Sequence, residues 1–167
     1  MKIKAAIIIL CVILFSCKKG TKPEITLTGT LTSCPANSTC TYNYFDSADF
    51  TNGNQPVAGS SRVFWYKTVN ANICGATTSF FFKTNMGDTQ FDITSSQIAA
   101  GDVFANDFIC PCCDYAILFK PIGGEIKGQR TDATHWLINA SIIFGTAPST
   151  PVDTVVVNQY FTRQTLP

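Results

Sequence analysis

The 167-residue chain carries 12 basic against 11 acidic residues, 13 phenylalanines and 8 cysteines, and only 14% of its residues are charged. So even a balance gives no electrostatic footprint for a phosphate backbone, and nucleic acid is excluded as a partner. No internal repeat is evident, and the length behind the first two dozen residues suits one domain with a real core.

The chain opens with Lys2 and Lys4 and runs on through the mostly apolar stretch Ala5 to Phe15. About eleven apolar residues are too few for a bilayer core, which needs about 20 in helical form. An apolar run of that length behind a basic start has the pattern of a cleaved export signal. Leu14-Phe15-Ser16-Cys17 then resembles the lipobox of bacterial lipoproteins, departing from it at Phe15, where a small or β-branched residue is commoner. The resemblance implies that residues 1–16 form a signal peptide and that Cys17 becomes the acylated N-terminus, carrying palmitate-type chains. The membrane is then a partner through the N-terminal lipid. Each buried methylene contributes ~0.8 kcal/mol, so two or three chains give lasting attachment where one is marginal.

Residues 17–24 continue as lipid anchor and tether, polar and without apolar periodicity. Lys18 to Glu24 reach roughly 25 Å when extended, which keeps the body close to the membrane. The acidic run after the lipidated cysteine that favours surface display in Bacteroidota is missing. A lipid-anchored place in the bacterial cell envelope, at the outer membrane, is expected, with its periplasmic face preferred over the cell surface. Beyond Lys22 the chain holds seven basic and eleven acidic residues, a weakly acidic body.

Residues 25–167 read as strands, because Thr, Val, Ile and Phe dominate short runs separated by Gly, Pro, Asn and Ser. Ile25, Leu27 and Leu31 alternate with Thr26, Thr28 and Thr30, a half-buried pattern of period two. Further strands are expected over Thr41 to Phe45, Arg62 to Thr68, Thr78 to Thr84, Thr89 to Ile93, Tyr115 to Lys120, Glu125 to Gln129 and Thr154 to Thr162. The clearest is Trp136 to Phe144, where Trp136, Ile138, Ala140, Ile142 and Phe144 share one face. Asn52-Gly53, Gly123-Gly124 and Ala147 to Pro151 carry turn chemistry, and the last of these joins two strands as a hairpin. Only Ser95 to Gly101 has a helical signature, one turn carrying Ile98, with Ser95 or Ser96 as its cap and Gly101 as its end. Without longer helices between strands, a single antiparallel β-sandwich of about eight or nine strands is expected, with a β-barrel as the alternative.

With Cys11 in the signal and Cys17 lipidated, six cysteines remain: Cys34, Cys40, Cys74, Cys110, Cys112 and Cys113. An even set in an exported chain points to disulfides, with 15 complete pairings possible. Cys34 and Cys40 flank five residues between two expected strands, which suits a bridge across a hairpin neck. Cys74 then has to find its partner in the later cluster, and adjacent Cys112 and Cys113 bond in different directions if extended. Cys110 and Cys113 also have C-x-x-C spacing, but no helix follows to lower a thiol pKa. A zinc set of three thiolates with His135 is the metal alternative, with nothing fixing its fourth ligand; no metal or other cofactor is assigned.

No residue constellation identifies a reaction. His135 has no nucleophile in a recognisable frame, and Gly59-Ser60-Ser61 is not a nucleophile elbow. The long polar loop Asp46 to Ser61 is flanked by aromatic residues, of which Tyr44, Phe50, Trp65 and Tyr66 are the candidate ligand-binding set. They suit a glycan or protein ligand presented to loops on a rigid scaffold. A noncatalytic binding or accessory module is therefore the leading expectation. The alternatives are a carboxylate-based hydrolase acting on glycans, its pair drawn from the scattered acids Asp46, Asp49, Asp88, Asp92, Asp102, Asp107 and Asp114, and a thiol- or metal-binding envelope protein. Asp46-Ser47-Ala48 and Asp153-Thr154-Val155 also resemble the O-glycosylation acceptors of exported Bacteroidota proteins.

Overall fold

The computed structural model describes residues 24–50, 55–113, 119–146 and 150–166. The expected signal peptide, Cys17, the expected tether up to Pro23, Asn52-Gly53, most of the strand expected at Tyr115 to Lys120, and Ala147 to Ser149 lie outside the described residues. The strands are β1 (Ser38–Phe50), β2 (Pro56–Ala58), β3 (Ser61–Asn70), β4 (Ala76–Asn85), β5 (Gln90–Ile93), β6 (Val103–Ile109), β7 (Lys120–Arg130), β8 (His135–Thr146) and β9 (Thr150–Gln164). Among the described residues, one short α-helix, α1 (Ser95–Ala100), sits between β5 and β6, and a single 3-10 turn, Ala71–Ile73, joins β3 to β4.

The fold is all-β. The strands form one nine-stranded sheet in the order β5-β7-β8-β9-β1-β3-β4-β6, with β2 added beside β1. Neighbours are antiparallel except β1 and β9, which run parallel over Asn43↔Thr162 to Phe45↔Gln164. The sheet is bent back on itself. β3 and β8 stand three strand spacings apart in the order, about 14 Å in a flat sheet, yet the rings of Phe64 and Trp136 are 5.3 Å apart. Phe82 on β4 reaches Phe91 on β5, near the other end of the order, at 5.4 Å. The two halves of the sandwich are thus two halves of a single mixed sheet. Its end strands β5 and β6 do not pair with each other, so no barrel closes.

The enclosed face is the core. On β8 the alternation is complete: Trp136, Ile138, Ala140, Ile142 and Phe144 are all fully buried, while Leu137, Asn139, Ser141 and Ile143 are half-buried on the other side. Each buried aliphatic or aromatic side chain of this kind contributes roughly 1.5–3 kcal/mol. Phe80 and Phe82 on β4 join the same core, and Phe81 between them points to the opposite face, where it is buried as well.

Several expectations are corrected. Residues 25–31 are not a strand, because their backbone finds side chains instead of a ladder: Ile25 N donates to Gln90 Oε1 at 3.0 Å, and Asn158 Nδ2 donates to Thr30 O at 3.1 Å. Beyond them Thr32 N donates to Asn158 O, so the segment straps β5 to β9. Gly123-Gly124 is not a turn: both residues pair with β8 inside β7, directly after a bulge at Ile122 where the register shifts between Pro121 and Gly123. Gly124 has φ +117°, and a Cβ there would meet the carbonyl oxygen of Ser141, so only glycine fits. The cap of α1 is Thr94, one residue before the serines; Thr94 N donates to Gln97 Oε1 at 3.0 Å. Strand β6 is not among the expected strands; its polar pair Asn106-Asp107 interrupts the apolar run from Val103 to Ile109. The hairpin of β8 and β9 forms as expected, with Thr146 opposite Thr150.

Candidate binding face

The register separates the four aromatic candidates into two pairs. Tyr44 lies opposite Phe64 and Tyr66 opposite Phe80, and all four point into the core. Tyr44 and Tyr66 are 1% and 4% exposed, which removes them from any ligand surface. The phenol of Tyr44 donates to Ala133 O at 3.4 Å, and burial pushes its pKa up.

Trp65 and Phe50 face the other way. Trp65 on β3 is opposite Phe81 on β4, which is opposite Phe104 on β6, so the ladder places aromatic side chains in a row across adjacent strands on the outer face. Trp65 and Phe81 stack at 5.4 Å with their planes 10° apart. Phe45 extends the row on the β1 side, 6.4 Å from Trp65. Phe50 lies against its middle, 5.9 Å from Phe81 and 6.2 Å from Phe104. Phe45, Val63 and Phe81 are buried beneath this layer, whereas Trp65, Phe50 and Phe104 remain half-buried. A charged border adjoins it: Lys83 Nζ is 3.1 Å from Asp49 Oδ1 and 5.2 Å from the centre of the Phe50 ring.

The poles of the sheet carry different chemistry. Where β1 and β9 end and β3 and β8 begin, Asp46 accepts from Arg62 Nε at 2.7 Å and stands 3.1 Å from Arg163 Nε. A cavity of about 460 Å3 opens there, lined by Asp46, Ser47, Thr134 and Arg163. Ser47 is exposed on the β1 bulge with φ +53°. His135 starts β8 nearby. Its Nδ1 is 2.9 Å from Asp132 Oδ2 and 3.1 Å from Thr134 Oγ1. Both partners crowd the same ring nitrogen, so the three do not form a relay in which a base lies between acid and nucleophile. Asp132 instead organises the β7–β8 turn, and the backbone N–H of Thr134, with help from His135, holds its carboxyl down at about 2. The acids Asp46, Asp49 and Asp132 are thus each engaged with a cation or a histidine.

At the opposite pole lie the disulfides Cys34–Cys40, Cys74–Cys112 and Cys110–Cys113. The Cys34–Cys40 bridge forms, but it ties the irregular segment before β1 to β1 itself and crosses no hairpin neck, because residues 25–31 are not a strand; Cys74 finds the later cluster, and Cys112 and Cys113 bond in different directions. Because Cys110, Cys112 and Cys113 are each bonded to another sulfur, they do not act as thiolate ligands beside His135.

Comparison with protein-family models, with curated proteins and with solved structures finds no match to this chain. The outer row was only partly legible beforehand. Phe81 stood in the run Phe80-Phe81-Phe82, whose alternation signals two faces. Phe104 was missed along with the strand that carries it, and Lys83 gives no signal apart from its place beside Phe81 and Phe82.

Proposed function

We propose that the chain is a lipoprotein of the bacterial envelope, anchored through Cys17, whose β-body is a noncatalytic binding module that takes a glycan on its outer aromatic face. The observation that carries the reading is the half-buried layer of Trp65, Phe104 and Phe50, seated on the buried rings of Phe45 and Phe81, with the Asp49–Lys83 pair at its border. Aromatic rings offer apolar faces on which the C–H surface of a sugar stacks, and a few placed charges orient its hydroxyls. The rings are held by packing against one another, so little side-chain entropy remains to be lost on binding.

The two tryptophans give the test. Trp136 is fully buried and Trp65 half-buried on the proposed face. Titration with envelope-type oligosaccharides, followed by tryptophan fluorescence, is expected to change the Trp65 signal in a Trp136→Phe variant, and Trp65→Ala is expected to weaken binding by at least about tenfold. Oligosaccharide binding unchanged by Trp65→Ala contradicts the assignment of this face.

A further inference from the structure

The disulfide pole brings four sulfurs together in a way that three isolated staples would not. Cys110 Sγ, bonded to Cys113, lies 4.0 Å from Cys112 Sγ, which is bonded to Cys74. Two separate disulfides are therefore in contact. Cys74 and Cys112 are exposed, and Cys110 and Cys113 are half-exposed, so reagents reach the group from solvent. Two residues near the group have left-handed backbone. Cys74 has φ +49° and Phe108, two residues before Cys110, has φ +50°. Left-handed conformations are disfavoured at non-glycine residues, because Cβ crowds the following carbonyl oxygen. Phe108 is thrown outward where the β4–β6 register slips between Thr77 and Ser79, and it is 40% exposed. It shares a shallow groove with Ile73, on the turn that Cys74 ends.

We propose that these four cysteines form a disulfide-exchange site that a dithiol, small or carried by a protein, can trigger. In the first step the dithiol reduces Cys110–Cys113: its two sulfurs join in a disulfide, two electrons pass to the bridge, and Cys110 and Cys113 become thiols. In the second step the Cys110 thiol loses its proton and the thiolate attacks Cys112 Sγ. A Cys110–Cys112 bond forms, the Cys74–Cys112 bond breaks, and Cys74 leaves as a thiolate that takes up the proton. No electrons enter or leave in this step, because one disulfide replaces another. Its consequence is structural. The turn Ala71–Ile73 between β3 and β4 is uncoupled from the end of β6, and the strained residues Cys74 and Phe108 are freed to relax. The site is a redox latch on the groove between Ile73 and Phe108, and it works whether or not the aromatic face binds glycan.

The test follows the sulfurs directly. The oxidised mature protein is treated with increasing dithiothreitol, and in a parallel arm with reduced thioredoxin as a protein dithiol. Samples are quenched in acid, thiols are alkylated, and linked peptides are mapped by mass spectrometry. The expected result in both arms is a species with thiols at Cys74 and Cys113 and a Cys110–Cys112 linkage, while Cys34–Cys40 stays intact. Loss of bridges without any Cys110–Cys112 linkage overturns the proposal, and exchange with dithiothreitol alone overturns the protein-dithiol arm. Two variants separate geometry from general scrambling. Cys113→Ser leaves Cys110 as the free thiol and is expected to yield both Cys74–Cys112 and Cys110–Cys112 linkages. Cys110→Ser leaves Cys113 free and is expected to exchange at least about tenfold less. Equal scrambling in the two variants, or none in either, overturns the proposal.

Discussion

Arg62 Nε lies 2.7 Å from Asp46 Oδ1, and Arg62 is only 4% exposed. The rest of the guanidinium is spent on Met86 O and Asp88 O, each 3.2 Å away, and it lies over the Trp136 ring at 4.8 Å. A cation is thus held at the mouth of an aromatic core by one carboxylate, two carbonyls and a ring. Removing the carboxylate leaves the charge without its counterion. Asp46→Ala is expected to lower unfolding free energy by about 3–5 kcal/mol, and the double change Arg62→Met with Asp46→Leu is expected to recover most of that loss. Urea denaturation of the three proteins checks both statements, since a shared slope and shifted midpoints isolate stability.

Two glycines make a matched pair. Gly124→Ala is expected to cost about 1–3 kcal/mol or more, because alanine is strained at φ +117° and its Cβ runs into the Ser141 carbonyl across the β7–β8 ladder. Around Gly87 a Cβ would meet nothing within 4 Å, so Gly87→Ala is expected to stay within about 0.5 kcal/mol of the parent. Thermal melts of the two variants distinguish a ladder position that requires glycine from a turn that merely contains one.

These particulars show what the sequence discloses. The inward face of β8 was legible because its apolar residues alternate without a break for nine residues from Trp136 to Phe144. The segment Ile25 to Leu31 alternates as well, but alternation carries no information about a pairing partner, and here the neighbouring donors and acceptors are the side chains of Gln90 and Asn158 and nearby carbonyls. Between Tyr44 and Phe45, or Tyr66 and Trp65, period two predicts opposite faces without saying which is inside, because both faces are aromatic. Tertiary packing decides it. The CxxC spacing of Cys110 and Cys113 fitted a redox motif and a structural bridge equally, and the contact with Cys112 exists only once Cys74 has been brought across from the β3–β4 turn.

The β7–β8 turn has its own pH signature. The Asp132 carboxyl sits at about 2 in the folded chain, chiefly because Thr134 N donates to it at 2.7 Å, against about 3.9 for an unperturbed aspartate. A folded value below the unfolded one means that the contribution is complete above the unfolded value and is lost as pH falls through about 2. The amide resonance of Thr134 is expected to titrate with a midpoint near 2, and this transition should vanish in Asp132→Asn. A midpoint close to that of an ordinary aspartate contradicts the turn geometry.

Trp65 offers a variant that separates packing from polarity. Its indole Nε1 is buried and has no hydrogen-bond acceptor among the described residues, a situation that costs about 1–3 kcal/mol. Trp65→Phe keeps an aromatic ring against Phe81 and removes the unmet donor. It is therefore expected to change stability by less than about 1 kcal/mol, whereas Trp65→Ala loses the stacked layer and costs about 3 kcal/mol. Chemical denaturation gives both values.

The proposed attachment at Cys17 underlies the whole account, because export would bring the bridges into an oxidising compartment and the lipid would hold the body against the membrane. Intact-mass and N-terminal peptide analysis of the protein recovered from bacterial membranes tests it most directly. The expected product lacks residues 1–16 and begins at a Cys17 carrying diacylglycerol and, in a fully processed protein, a further acyl chain. A product that retains Met1, or one that begins at an unmodified Cys17 in the soluble fraction, contradicts it.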